Sequence, residues 1–309
     1  MYNIGLDIGY SYTKTDSGVF FPSKIMAGDN VINEGTQIIY NNQKFTIGIG
    51  KGTLELNKIN SMLTKLCMLA AVAKSTDDDT VNIATGLPIG QIKLLADDLK
   101  NYLLNDNHIN YTINNVNKKL FINDVIVVPQ GARALYAYDI EGDVIIIDIG
   151  GRSVDIAYFE YINGKRKLVK YNTLYKGMIS LYSKLIEQIN KKYSSSGLSL
   201  DDEYGEKILT EGLSIFGDKQ DLSWLQPVYD AHVEEIINNL MLNYRYVSTD
   251  IYICGGGAKT LFPSFKKKIK NIRILDDSQF SNAIGFKKIA DSIWHIDIKP
   301  EQKVLKWAL

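Results

Sequence analysis

Cysteine and histidine are almost missing from this chain: two cysteines and three histidines in 309 residues cannot build a disulfide framework or a clustered metal site. Cys67 lies in an apolar helical pattern and Cys254 at the end of a strand pattern, while His108, His232 and His295 are scattered packing or surface residues. An excess of charge of either sign is missing too. The 35 basic side chains balance 35 acidic ones, so no global field draws the protein onto DNA or anionic lipid, and a nucleic-acid role would need a local patch or an adaptor. No run approaches the roughly 18 apolar residues that span a bilayer, and Tyr2 to Ile8 reads at once as a strand with no basic leader before it. The expected setting is a reducing cytoplasm, without a membrane partner. Two nucleotide signatures are also lacking. There is no G-x-x-x-x-G-K-[ST] loop and no G-x-G-x-x-G after the first strand, which removes the main support for P-loop and Rossmann readings.

What is present is a hydrophobic fraction of 45%, enough for a real core, over a length that suits two lobes better than one. Ile4, Leu6 and Ile8 alternate with Gly5 and Asp7, so the first strand delivers Asp7 to its C-terminal edge before the turn Gly9-Tyr10-Ser11. Strands are expected at Gly18 to Pro22, Gln37 to Ile49, Val81 to Ala84, Tyr111 to Val116 and Lys119 to Val128. Helices are expected at Ser61 to Lys74, from Ile92 to about Asp106, and from Gln130 to Tyr138 after Pro129. The pattern then restarts. Val144 to Ile149 is nearly pure β-branched sequence, as a strand buried on both faces requires, and it ends in a second Asp-Ile-Gly at Asp148. Val154 to Tyr161 and Asp250 to Cys254 read as further strands; Met178 to Tyr193, an acidic-capped Asp201 to Glu211, Pro227 to Tyr244 and Asn282 to Ile293 read as helices. The alternation makes the chain α/β, with two related half-domains.

Three strand ends carry candidate chemistry. In Asp7-Ile8-Gly9-Tyr10-Ser11-Tyr12-Thr13-Lys14, glycine admits close backbone approach, turn amides suit phosphate oxygens, Lys14 adds positive charge and Asp7 suits Mg²⁺; a tight hairpin with an exposed lysine is the competing reading. Asp148-Ile149-Gly150-Gly151-Arg152-Ser153-Val154-Asp155 repeats the chemistry with carboxylates at both ends, against a simple turn-capping role. In Cys254-Gly255-Gly256-Gly257-Ala258 the absence of side chains lets a flat base or ribose lie against backbone, though a plain loop would also explain the glycines. Gln130, just after Pro129, can orient an attacking water through its amide while Asp148 polarises the same water, or it can merely cap a helix.

Taken in this order, these segments resemble the core of actin, sugar kinases and Hsp-type chaperones. Thr85-Gly86-Leu87-Pro88, Val128-Pro129-Gln130-Gly131 and Asn282-Ala283-Ile284-Gly285 are similar to the ParM and StbA-like plasmid actins within that superfamily. The resemblance implies an actin-like two-lobed fold with a nucleotide cleft between related half-domains, the first formed by residues 1–129 plus 284–309 and the second by 130–283. It implies ATP or GTP with Mg²⁺ as cofactors. Asp7, Gly9, Tyr10, Ser11 and Lys14 would then meet the β- and γ-phosphates, Gln130 and Asp148 would be catalytic, and Gly150, Gly151 and Asp155 would lie opposite. Asp7 and Asp148 would hold the metal, Gly255, Gly256 and Gly257 the adenosine, and Glu211 a ribose or base contact. Tyr10 stands where actin's first loop has serine and Ser11 where it has glycine, so the γ-phosphate contact departs from actin's. The family further implies slow ATP hydrolysis coupled to self-assembly into filaments that separate plasmid copies, with a small DNA-binding adaptor as partner and no direct DNA contact. Three other readings compete: a small-molecule kinase, a membrane-tethered MreB or FtsA-like scaffold anchored through Lys303 to Leu309, and a non-hydrolysing binding module.

Overall fold

β-Branched residues set the centre of each sheet. The structure is a computed structural model that describes residues 1–28, 34–52, 59, 61–131, 135 and 140–294. In chain order its elements begin with β1 (Tyr2–Ile8), β2 (Tyr12–Thr15), β3 (Phe20–Pro22), β4 (Ile25–Ala27), β5 (Thr36–Tyr40), β6 (Gln43–Ile47) and α1 (Met62–Ser75). They continue with β7 (Thr80–Leu87), α2 (Ile92–Leu104), β8 (His108–Ile113), β9 (Val116–Pro129), β10 (Val144–Ile149), β11 (Val154–Ile162) and β12 (Lys165–Leu174). The last part of the chain forms α3 (Met178–Lys192), α4 (Tyr204–Glu211), β13 (Ser214–Ile215), β14 (Asp218–Lys219), α5 (Gln226–Asn243), β15 (Asp250–Cys254), α6 (Ala258–Lys268), β16 (Ile272–Ile274) and α7 (Ser281–Trp294).

The chain divides into two units, one formed by Met1–Ile140 together with the chain from Phe280 onward, the other by Glu141–Gln279. The first holds a nine-stranded sheet in the order β3-β2-β1-β7-β9-β8-β5-β6-β4, with α1 and α7 against β1. The second holds a five-stranded sheet in the order β12-β11-β10-β15-β16, covered by α3, α5 and α6. The same local pattern recurs in both. An antiparallel hairpin, β1–β2 or β10–β11, lies beside a parallel neighbour, β7 or β15.

β10 is buried along its whole length, as a central strand must be. α1 starts where Ser61 Oγ accepts the Thr64 N–H at 3.1 Å, the bond an N-cap serine is suited to make. Sequence periodicity misjudged several places. Gln37 to Ile49 is two strands and not one, because Asn41 and Asn42 both take positive φ, at 49° and 60°, and turn the chain back. The β8–β9 turn falls at Asn114-Asn115, before the gap left between the strands expected to end at Val116 and begin at Lys119, again with both residues at positive φ. The helix expected from Asp201 begins at Tyr204, and Glu203 at its N-cap makes no side-chain capping bond. β12, α6 and β16 were not foreseen. β12 is an edge strand with lysine and arginine along it, a composition that keeps an edge soluble while hiding its strand character. Most of the helix expected over 130–138, His295 and the segment 303–309 lie outside the described residues.

Candidate functional site

In the first unit, β1 ends at Asp7 and Ile8 and the chain reverses so that the Gly9 N–H donates to Tyr12 O at 2.8 Å. A Cβ at Gly9 would sit 2.6 Å from that same oxygen, so the turn requires glycine. The register then sets Asp7 opposite Lys14. Both are buried, and Lys14 Nζ lies 3.6 Å from Asp7 Oδ2. A buried carboxylate needs such a partner. Gln130, beyond the end of β9, completes the group: its Nε2 donates to Asp7 Oδ1 at 2.8 Å, wholly within the interior. Asp7, Lys14 and Gln130 are thus brought together, with Gly9, Tyr10 and Ser11 forming the turn above them.

The second unit repeats this geometry with different charges. The Gly150 N–H donates to Ser153 O at 2.9 Å, and Asp148 stands opposite Asp155 at the register position that Asp7 and Lys14 hold in the first unit. Both carboxylates are buried. Thr173 Oγ1 donates to Asp155 Oδ1 at 2.5 Å. The first turn of α3 is tied to the same loop, since Gly177, Met178 and Ile179 donate their N–H groups to the carbonyls of Arg152, Gly150 and Gly151. That tie was not foreseen, because Gly177 before an amphipathic run reads only as a loop.

The triglycine segment packs under this hairpin. Gly255 has a φ of +86°, and a Cβ there would fall 2.3 Å from Asp148 Oδ1, so glycine is needed for backbone conformation and for space. Gly257 donates its N–H to Ile149 O at 3.0 Å and starts α6, while Gly256 faces open space. Asp148, Gly150, Gly151, Asp155, Gly255 and Gly257 therefore form one cluster. Glu211 stands elsewhere, exposed at the end of α4, with Lys207 at 3.9 Å as an ion-pair partner.

Each unit, taken by itself, has side chains whose chemistry would fit part of a magnesium nucleotide. Among the described residues no three acidic, histidine or cysteine side chains converge to hold an ion by themselves. Mg²⁺ as a rule keeps several waters and is bound through one or two carboxylates plus phosphate oxygens. Within the second unit Asp148 and Asp155 are carboxylates of the kind that could help hold Mg²⁺, and within the first Lys14 is a cation of the kind that could meet phosphate.

Among the described residues, His108 and His232 take no part in either cluster. His108 stacks on Phe121 with ring centroids 4.4 Å apart. His232 on α5 is fully buried, and neither ring nitrogen is hydrogen-bonded; the Lys176 backbone lies near enough to favour the charged ring slightly without meeting bonding geometry. Burial, helped by the Lys184 charge, pulls its pKa down to about 4. Glu235, one turn on, accepts from Lys176 and Lys184, which hold its carboxyl near 2. No described helix is long and apolar enough to cross a membrane.

Two family models cover most of the chain. The N-terminal domain of actin-like proteins matches residues 5–132, and the C-terminal domain of the archaeal MreB-like actin homologues matches residues 146–267. The chain belongs to the actin-like superfamily. Solved actin-like structures share its fold. An archaeal actin homologue is 21% identical with a TM-score of 0.81, over 94% of this chain and 99% of that one. The same homologue in complex with ADP is 23% identical with a TM-score of 0.80, over 94% and 99%. A ParM from Clostridium botulinum, solved as a 15-stranded filament, is 23% identical with a TM-score of 0.78, over 94% and 98%. No curated protein matches the sequence. The actin-like resemblance and the α/β actin-like fold expected from the sequence are both borne out.

Proposed function

We propose that this actin-like chain binds ATP with Mg²⁺, hydrolyses it slowly and uses the cycle to assemble into filaments that segregate plasmid DNA. The observation that carries the reading is the pair of Asp-Ile-Gly hairpins, closed by the same glycine-to-carbonyl bond and carrying charged side chains at the same register position. In the first hairpin Lys14 and the turn from Gly9 to Ser11 would take phosphate oxygens, and Asp7 would help hold the metal. In the second, Asp148 and Asp155 meet the metal, and Gly150 and Gly151 let a phosphate approach the backbone. Gln130 orients the attacking water, using its amide to accept one hydrogen bond and donate another, and Asp148 polarises that water. The glycines at 255–257 accommodate the adenosine, and GTP is the competing nucleotide. Two relatives of the same fold support this: one is solved as an ADP complex and another as a filament.

Assembly follows from the chemistry if nucleotide favours one arrangement of the protein over another. A head-to-tail contact that does not close into a ring yields open filaments with a critical concentration. With equal numbers of acidic and basic side chains, the DNA link falls to a small adaptor protein, and the chain works in the cytoplasm. Negative-stain electron microscopy of the purified protein with Mg²⁺ and ATP, GTP or neither tests the proposal. Filaments only with a nucleoside triphosphate are expected; a monomer that phosphorylates an added sugar would replace this reading with a kinase.

A further inference from the structure

The turn that carries Gln130 is fixed from three sides. Its own N–H donates to Leu87 O at 2.8 Å, joining it to the end of β7. The next residue, Gly131, takes a φ of +70° and donates its buried N–H to Asn282 Oδ1 at 2.9 Å. Because the partner is an N–H, the carboxamide must turn its oxygen to it. The third constraint is steric. A methyl group at Gly86 would sit 2.9 Å from Gln130 Cγ, 2.9 Å from Val128 O and 2.4 Å from Phe286 Cζ, so only glycine leaves room for the glutamine stem.

Asn282 lies in the first turn of α7, and that helix also sets the height of Asp7. Gly5 on β1 touches α7 so closely that a Cβ there would fall 2.0 Å from Ala283 O and 2.6 Å from Lys287 N. The strand bearing Asp7 and the turn bearing Gln130 are therefore both measured against one helical turn. The result is the 2.8 Å bond from Gln130 Nε2 to Asp7 Oδ1. A register built from backbone amides and one side-chain acceptor has little slack, since an unmatched buried N–H is costly.

We propose that Asn282 is a positioning residue for Gln130: its side-chain oxygen holds the Gly131 N–H and so sets where the Gln130 amide can present a water. The inference rests on the assignment of Gln130 to the attacking water. A misplacement of about 1 Å at such a group can cost on the order of 100-fold in rate, so loss of the anchor should lower kcat and leave nucleotide affinity nearly alone.

The test is a double-mutant cycle in phosphate release from ATP or GTP with Mg²⁺, on the full chain, with affinity measured by a fluorescent nucleotide. Asn282→Ala should lower kcat about 10- to 100-fold with Kd within a few fold. Asn282→Asp, which keeps an acceptor oxygen at the same reach, should recover most of the rate. In a Gln130→Ala background, Asn282→Ala should cost nothing further, since there is no amide left to position. Full additivity in that background, or no rescue by Asp, overturns the inference while leaving Gln130's role standing. A wild-type rate for Gln130→Ala overturns both, and so marks a failure of the underlying assignment. Should Asn282→Ala fail to fold by thermal melting, Asn282→Ser withdraws the acceptor with less loss of polarity, and the same cycle is read with it.

Discussion

The two hairpins have one backbone and opposite electrostatics. β1–β2 places Asp7 across from Lys14, while β10–β11 places Asp148 across from Asp155. Unlike charges across a register stabilise the pair; two buried carboxylates facing one another destabilise it unless a proton, a donor or a cation intervenes. The first hairpin carries its own cation. The second has Thr173 and Ser153 as donors to Asp155. Under the proposed function the first would meet chiefly phosphate and the second chiefly the metal, although the sequence signature of the two is the same tripeptide. Gln130 belongs to the first, bonded to Asp7, and the second has a glycine, Gly255, against its aspartate.

The largest effect should come from breaking the acidic hairpin. Asp148→Ala should reduce phosphate release on the order of 10²-fold or more, since it removes a metal-positioning charge, and a rate near wild type would sink the assignment. Next is Gln130→Ala, expected to slow hydrolysis by at least about tenfold while nucleotide affinity stays within a few fold, because it touches water and not phosphate. A parallel loss of binding would show that Gln130 serves the nucleotide instead. Lys14→Gln removes one charge-assisted contact to phosphate, so affinity should weaken on the order of tenfold in a titration with a fluorescent nucleotide. Asp155→Asn should separate the hairpins most cleanly. It relieves like-charge repulsion, so without Mg²⁺ the melting temperature should hold or rise slightly, while the Mg²⁺ dependence of nucleotide binding should weaken. A strong drop in melting temperature would mean that the carboxylate is a structural partner of Thr173 and not a metal ligand.

The smallest effect lies away from both hairpins, at His232. Between pH 6.5 and about 4 the unfolded chain takes up a proton that the folded chain refuses. Stability should therefore fall as the pH drops through that window, by on the order of 1 kcal/mol per pH unit at its steepest. Denaturant melts of His232→Leu across the same range should show a flatter profile than wild type; an unchanged slope would assign the acid sensitivity to other groups.

Much of this was legible in the sequence because central strands announce themselves. Val144 to Ile149 has a single reading, and its Asp-Ile-Gly end could be matched to Asp7 by inspection. What escaped was whatever depends on strand register or on partners distant in the chain. The opposition of Asp7 to Lys14 and of Asp148 to Asp155 is a matter of register, set once the Gly9 and Gly150 turns close. Asn282 was visible as part of a motif, but its bond to Gly131 spans 151 residues of sequence and no local pattern encodes it. Edge strand β12 was missed because solubility selects lysine and arginine there over the β-branched residues that signal a strand.

The central claim is that Mg²⁺ nucleotide chemistry at these hairpins drives assembly, and light scattering recorded together with phosphate release on one sample tests it most directly. On adding ATP and Mg²⁺ to the wild-type chain, scattering should rise above a critical concentration and decay as phosphate appears, with the decay delayed in Gln130→Ala. Phosphate release at tens of micromolar protein without any rise in scattering, or a rise that is indifferent to nucleotide, would contradict the account.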